Sequence, residues 1–85
     1  MNEVFKALSE PNRRQILRLL KKGEMAAGDI AGKLKITGAT VSHHLDTLRR
    51  ADLISAERRG QQIFYSLNLS VLDEIMEKIF NFFKK

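Results

Sequence analysis

At 85 residues, the chain is long enough for one small domain that buries only a modest fraction of its surface, so a partner subunit would add stability. The net charge of +5 at pH 7 favours a polyanionic partner, and the absence of cysteine excludes disulfides, thiolate metal sites and cysteine redox sensing. The N-terminus does not have the pattern of a signal peptide, and no apolar run is long enough to span a membrane, so we expect a cytoplasmic protein.

Two helices are predicted at the N-terminus. Asn2 can cap the first helix and Ser9 the second, while Gly23 is expected to stop the second helix after about Lys22. Arg13 falls among the apolar positions of this second helix. It is expected to form a structural ion pair with a nearby carboxylate, and the alternative is a direct contact with DNA.

A helix-turn-helix follows. Residues 24–26 are typical of a short edge strand, residues 27–34 of a third helix, and Thr37 can cap a fourth helix over residues 38–51. Apolar residues recur there at spacings of four and three, which places on one buried face Val41, Leu45 and Leu48. The opposite face carries small, hydroxyl, imidazole and guanidinium groups instead of long glutamates and lysines. Such a face is suited to a DNA groove, so we interpret this segment as a recognition helix.

The recognition helix supplies five candidate DNA contacts. Thr40 and His43 are candidates for base edges, and Ala39 permits close approach or touches a thymine methyl group. Thr37 and Ser42 are candidates for phosphate contacts, the former aided by the helix N-terminus. Whether His43 binds a base or a phosphate stays open.

Neighbouring polar residues of this helix do not form a catalytic or metal site. His43 and His44 are adjacent, so their side chains diverge by about 100° and cannot chelate one ion. Ser42 and His43 diverge in the same way, and His44 is expected to be half-buried. The sequence has no glycine-rich phosphate loop and no chelating cluster, so we predict neither an enzyme nor a cofactor.

After Asp52 the apolar period changes to two, which predicts strands over residues 53–58 and 62–67. Gly60 can supply the positive φ of a tight hairpin turn. Most hairpin tips are only solvated turns, and this is the alternative interpretation here. Beside a helix-turn-helix, however, a basic hairpin favours a wing that contacts phosphate or the minor groove. The candidate wing contacts are Arg58, Arg59 and Gln61. The predicted fold is mainly α (α+β), one winged helix-turn-helix domain with a two-stranded β-hairpin wing.

The last helix, over about residues 70–84, has an apolar arc of about 180°, wider than the ~100° stripe that packing against one core requires. A symmetric homodimer formed with the first helix would cover the excess. A membrane-surface helix is the rival, but the polar face lacks the Lys/Arg excess of such helices. The predicted interface residues are Val4, Phe5, Leu72, Ile75, Met76, Ile79, Phe80 and Phe83.

The runs EPNRRQILRLL, GDIAGKL, TVSHHLDTLRRADLI and RRGQQIFYSL, in this order, resemble the ArsR-type winged-helix repressors over essentially the whole chain. The resemblance implies a homodimer that binds a near-palindromic operator and represses transcription. Many metal-sensing members carry two cysteines where this chain has Ala26 and Gly28. The last helix has Asp73, Glu74 and Glu77 but no histidine, and such a cluster is more often a solvated face. We therefore expect no metal sensing.

A protein-interaction module working through the apolar last helix is the alternative function. Such a module would tolerate glutamates at the positions of Ala39, Thr40 and His43, so these residues favour the repressor, which could act at its own promoter. Without a metal site, the remaining inducers are a protein partner, a small molecule between subunits, or none.

Overall fold

The computed structural model describes residues 2–84. Within these residues, five helices and three strands follow one another. They are α1 (Asn2–Leu8), α2 (Pro11–Leu20), β1 (Met25–Ala26), α3 (Ala27–Leu34), α4 (Gly38–Arg50), β2 (Ile54–Arg59), β3 (Gln62–Leu67) and α5 (Leu69–Phe83). The predicted type and order of these elements are confirmed, with shifts of one or two residues at their ends.

The helix-turn-helix consists of α3, α4 and the three residues between them. Lys35 ends α3 in the left-handed conformation (φ 56°), and its N–H bonds to the Ala31 carbonyl. Thr37 then caps α4 as predicted, because its Oγ1 accepts a hydrogen bond from the Thr40 N–H at 3.2 Å. This short turn lets α4 lie across α3 with one face buried and the other open.

The wing is a β-hairpin within a three-stranded antiparallel sheet of order β1-β3-β2. In the hairpin, Ile54 pairs with Leu67 and Arg59 with Gln62. Gly60 has the predicted positive φ, 64°, at the turn. The two-residue β1 pairs with the middle of β3, which ties the base of the wing to the start of α3.

A single hydrophobic cluster packs the helices against the base of the sheet. Its large, fully buried side chains come from α2, α3, α4 and the residue before β2. The largest are Ile16, Ile30, Val41, Leu45, Leu48 and Leu53. Because four of the six belong to the recognition helix or to α3 before the turn, the core itself determines which face of α4 points outward.

The N-terminus of α2 has a different cap from the predicted one. Glu10, not Ser9, is the cap, and its Oε2 accepts from the backbone N–H groups of Asn12 at 2.8 Å and Arg13 at 3.2 Å. Proline takes the first helical position, so the residue directly before it becomes the cap. The Ser9 hydroxyl instead donates to the Lys6 carbonyl at 2.7 Å and closes α1.

The C-terminus of α2 comes slightly earlier than predicted. The helix ends at Leu20 with Lys21 as its cap. Two further turn bonds, from the Lys22 N–H to the Leu19 carbonyl and from the Gly23 N–H to the Leu20 carbonyl, tighten the exit. Gly23 has a φ of 140°, which suits glycine, and it redirects the chain toward β1.

The prediction that Arg13 forms an ion pair with a carboxylate is wrong. Arg13 is buried, with 8% of its surface exposed. Its Nε and Nη2 donate to the carbonyls of Ala7 at 2.8 Å and Lys6 at 3.1 Å, and its Nη1 lies 3.1 Å from His44 Nδ1. Carbonyls at the C-terminal end of a helix have no intrahelical partner and attract a cation, so the end of α1 takes the place of the expected carboxylate.

Part of the predicted dimer surface belongs to the core of the chain. Val4 and Ile75 are 9% and 8% exposed, and Leu72 is partly buried against the same cluster, so these side chains contribute to the core of their own chain. The remaining predicted interface residues are exposed, and they are Phe5, Met76, Ile79, Phe80 and Phe83.

Among the helices of residues 2–84, none combines the length and the apolarity that crossing a membrane requires.

Candidate nucleic-acid interface

The outer face of α4 is the centre of the candidate interface. Val41 and Leu45 bury the inner face, and the helical period therefore leaves Ala39, Thr40 and His43 exposed, as predicted. The three exposed side chains are short or planar, and none carries a full negative charge. A major groove can therefore accommodate this face closely.

The N-terminus of α4 presents two hydroxyl groups beside the free N–H groups of its first turn. The Oγ1 atoms of Thr37 and Thr40 lie 2.8 Å apart, and both residues are exposed. A hydroxyl group has one donor and two acceptor positions, so each threonine keeps capacity for an external partner. Ser42 is also exposed on this helix. These groups can hydrogen-bond to phosphate or base atoms.

The two adjacent histidines have separate environments, as expected. Their ring centroids are 5.7 Å apart, with His43 exposed and His44 only 7% exposed. His44 is buried more deeply than the predicted half. Burial lowers the pKa of the His44 imidazole, the Arg13 charge adds to this effect, and the Glu10 carboxylate opposes it. His44 therefore supports the recognition helix from inside, while His43 faces outward.

All three predicted wing contact residues are exposed, and two of them do not bind a carboxylate of the described residues. Arg58 and Gln61 are exposed at the hairpin tip, and the Arg58 Nε donates to the Gly60 carbonyl at 3.3 Å. A guanidinium with a single backbone bond retains most of its donors for phosphate. These two residues extend the exposed polar surface beyond the recognition helix.

Arg59, the third predicted wing contact, is bound to carboxylates. Its Nη1 and Nη2 donate to the two Glu24 oxygens at 2.6 Å and 2.9 Å, and Nη2 also donates to Glu57 at 2.8 Å. The guanidinium also lies 4.8 Å from the centroid of the Phe64 ring. These hydrogen bonds raise the Arg59 pKa further and lower the Glu24 pKa. The geometry thus makes Arg59 a connection between the wing and the segment before β1.

Sequence reasoning missed Glu24 as the partner of the wing. Glu24 and Arg59 are 35 positions apart, and only the pairing of β1 with β3 brings them together. Glu24 carries no local signal for this role, since it stands in a turn where an acidic residue is ordinary. The short, partly apolar run over residues 24–26, interpreted as an edge strand, is the one indication of a sheet contact in the sequence.

The described residues do not assemble a metal centre. Within residues 2–84, no group of three or more His, Cys, Asp or Glu side chains is placed to hold a metal ion. Asp73, Glu74 and Glu77 are exposed on α5, and Ala26 and Gly28 carry no donor side chain.

Comparison with known proteins agrees with this arrangement. The model of the family "Bacterial regulatory protein, arsR family" matches residues 10–56, from the cap of α2 into β2. The transcriptional repressor SdpR of Bacillus subtilis (strain 168) is 52% identical over 100% of this chain and 94% of its own length. The arsenical resistance operon repressor of Staphylococcus aureus is 32% identical over 93% of this chain and 76% of its own.

The fold is also similar to that of solved regulators. The structure of HlyU from Vibrio cholerae N16961 superposes with a TM-score of 0.78 at 26% identity, over 98% of this chain and 90% of that one. The family and these relatives are transcriptional regulators, which confirms the prediction that the chain is not an enzyme. From its full-length similarity and its winged helix-turn-helix fold, the chain belongs to the ArsR family of bacterial regulatory proteins and is a DNA-binding transcriptional repressor.

Proposed function

We propose that the repressor acts as a homodimer on a near-palindromic operator, which could lie at its own promoter, and that it does so without sensing a metal. The observation that supports this most is the outer face of α4, where Ala39, Thr40 and His43 are exposed above a tightly packed inner face. A rigid helix with short polar side chains is the element that reads a major groove in helix-turn-helix proteins.

Specific readout is assigned to the middle of this face. Thr40 and His43 contact base edges, and Ala39 lets the helix approach closely enough to touch a thymine methyl group. Thr37 and Ser42 contact phosphates, since hydroxyl groups beside a helix N-terminus favour an anion. In this proposal, base contacts supply specificity, and phosphate contacts supply register.

The wing adds contacts that do not depend on sequence. Arg58 and Gln61 contact the phosphate backbone or the minor groove, because both side chains are exposed at the hairpin tip. Arg59 keeps its place in the proposed interface, but its ion pairs with Glu24 and Glu57 make its first role the orientation of the wing.

The homodimer is proposed from the exposed aromatic surface of α1 and α5. Phe80 is 69% exposed, and Phe5, Ile79 and Phe83 line an apolar cavity of about 460 Å³ between these two helices. Contiguous apolar surface of this kind usually marks an interface, and a two-fold symmetric contact closes without leaving a free patch. A two-fold dimer would place two recognition helices in successive major grooves, about 34 Å apart.

Regulation by a metal ion has no support in the donor set of the described residues. The alternatives are a protein partner that binds the dimer and removes it from DNA, a small molecule that binds between the subunits, or no inducer at all. Of these, a protein partner would suit the phenylalanine-rich end of α5, where Phe82 and Phe83 are exposed.

Hydroxyl-radical footprinting on the DNA upstream of the chain's own reading frame tests this proposal. A dimer should protect two patches centred about one helical turn apart and related by a two-fold axis in the sequence. The His43→Ala variant serves as the control, because it should weaken the same two patches together. A single unsymmetrical patch would contradict the dimer on a palindrome. Uniform protection without any patch would favour the interaction module instead.

A further inference from the structure

A polar cleft of about 210 Å³ lies between α1 and the recognition helix. Three helices line it, and the lining side chains are Glu3 and Lys6 of α1, Arg13 of α2, and His43, Thr47 and Arg50 of α4. Three permanently charged cations therefore face one carboxylate, that of Glu3. The charge of the cleft favours an anion.

Arg13 gives the cleft a buried positive charge without a counter-ion. Three of its N–H groups bond to the Ala7 and Lys6 carbonyls and to His44 Nδ1. A guanidinium has five N–H groups, so one on Nη1 and one on Nη2 remain for a ligand. Within residues 2–84, no carboxylate forms an ion pair with this side chain. Burial of an uncompensated charge costs free energy, which a bound anion would recover.

The rim of the cleft supplies further donors. Lys6 and Arg50 are both exposed, and neither takes part in an ion pair among the described residues. The Arg50 Nε makes only a long contact, 3.4 Å, with the Asp46 carbonyl. The Thr47 hydroxyl already donates to the His43 carbonyl at 3.1 Å, so the donors left for an anion are those of the cations and the His43 imidazole N–H.

We propose that this cleft is a binding site for a phosphate-class anion, filled in the DNA complex by a backbone phosphodiester. The source of the phosphate rests on the proposed function, because His43, Thr47 and Arg50 belong to the same helix that enters the major groove. A helix in that groove has a phosphodiester strand along each of its two sides. Because the cleft lies between α4 and α1, it would meet the strand on the α1 side.

The site extends the DNA contact surface to a helix that the recognition motif does not include. Lys6 and Arg50 bind the phosphate from the rim, while Arg13 forms the floor and holds the end of α1 against His44. Arginine binds phosphate through paired N–H groups and lysine as a point charge, so both kinds of donor fit one phosphodiester.

The test compares Lys6→Gln and Arg50→Gln with Lys22→Gln, a control with the same charge change as Lys6→Gln at an exposed lysine in the turn after α2, outside the cleft. Arg13 is left intact because its removal could unfold the chain. In the first arm, binding to the upstream duplex and to a scrambled duplex is measured across a salt series. In the second arm, without DNA, inorganic phosphate is titrated against chloride at matched ionic strength, with the His43 imidazole resonances as the readout.

The salt slope is the steepness with which the logarithm of the binding constant falls with the logarithm of the salt concentration. If DNA fills the cleft, each cleft variant should lower this slope by about 1 per subunit, while Lys22→Gln should keep the wild-type slope. Unchanged slopes, with phosphate shifting His43 in the wild type but not in Lys6→Gln, would assign the site to a free anion. If Lys6→Gln and Arg50→Gln have the same salt slope and the same response to phosphate as Lys22→Gln, the cleft is not an anion-binding site. If the wild type binds neither duplex, the proposed function fails, and the phosphate arm still decides the cleft.

Discussion

The Arg13 guanidinium donates to His44 Nδ1 across 3.1 Å and joins α2 to the inner face of the recognition helix. A guanidinium can only donate, so Nδ1 must accept, and the neutral imidazole carries its hydrogen on Nε2. That nitrogen lies 3.7 Å from the Glu10 carboxylate. Protonation of Nδ1 would place its N–H against the N–H of the Arg13 guanidinium, with no acceptor between them, in a buried site. The recognition helix is therefore held from inside by a histidine that must stay neutral.

The stability of the fold should depend on the His44 proton. Its pKa is lowered in the folded state, so the unfolded chain binds a proton more readily, and stability rises with pH in this range. The contribution is complete above the usual histidine pKa of about 6.5 and is lost as pH falls toward the folded value. Thermal unfolding between about pH 5 and pH 8 should show a melting temperature that falls on acidification. His44→Gln should flatten this dependence, and an unchanged dependence in that variant would exclude His44 as its source.

His43→Ala should reduce sequence discrimination more than general affinity. Loss of a base contact costs roughly 1–3 kcal/mol at the contacted position of each half-site. Competition binding with singly substituted operators measures the cost position by position. Ser42→Ala provides the comparison, because loss of a phosphate contact should weaken all sequences alike. A mismatch profile that is the same in His43→Ala and in the wild type would remove His43 from the base-reading residues.

The two wing arginines should differ in their effects on salt dependence. Arg58→Gln should weaken binding to every sequence and lower the salt slope by about 1 per subunit. Arg59→Gln should lower the melting temperature slightly and change the slope less, because its charge is already paired with Glu24 and Glu57. Anisotropy titrations across a salt series and thermal melts measure the two effects. Equal slope changes in both variants would contradict the orienting role of Arg59.

Phe80→Ser should dissociate the proposed dimer. A buried phenylalanine contributes about 1.5–3 kcal/mol, and the two-fold axis doubles the loss. Sedimentation equilibrium should then report a monomer at concentrations where the wild type is a dimer. Leu69→Ser is the matched control, since Leu69 is 65% exposed at the opposite end of α5 and outside the aromatic surface. A dimer that persists in Phe80→Ser would refute the α1–α5 interface.

Local patterns predicted the parts of the fold that depend on near neighbours. The spacing of Val41, Leu45 and Leu48 placed the inner face of α4, and all three side chains are buried. Thr37 as a cap and Gly60 as a turn residue follow from the backbone geometry that those positions require. Each of these signals acts within a few residues of the chain, so a single sequence suffices to detect it.

Contacts between distant residues could not be predicted in the same way. Arg13 and His44 are 31 positions apart, and a helix wheel shows only that both lie near a buried face. The helical wheel of α5 likewise gives the width of the apolar arc, but it does not show which apolar residues pack in the core and which stay exposed. Packing assigns Ile75 to the core of the same chain and leaves Phe80 exposed. Which side of an apolar helix contacts which neighbour depends on how the helices pack in the folded chain, and the sequence of one helix does not contain that information.

The central claim is that the outer face of α4 recognises a specific operator. The most direct test is fluorescence anisotropy of the purified protein with its own upstream DNA and with a scrambled duplex of equal length, at several salt concentrations. A preference of about 10³ or more for the upstream duplex is typical of specific regulators and is the result predicted here. Equal affinity for both duplexes, falling steeply with salt, would reduce the basic surface to non-specific attraction and would contradict the claim.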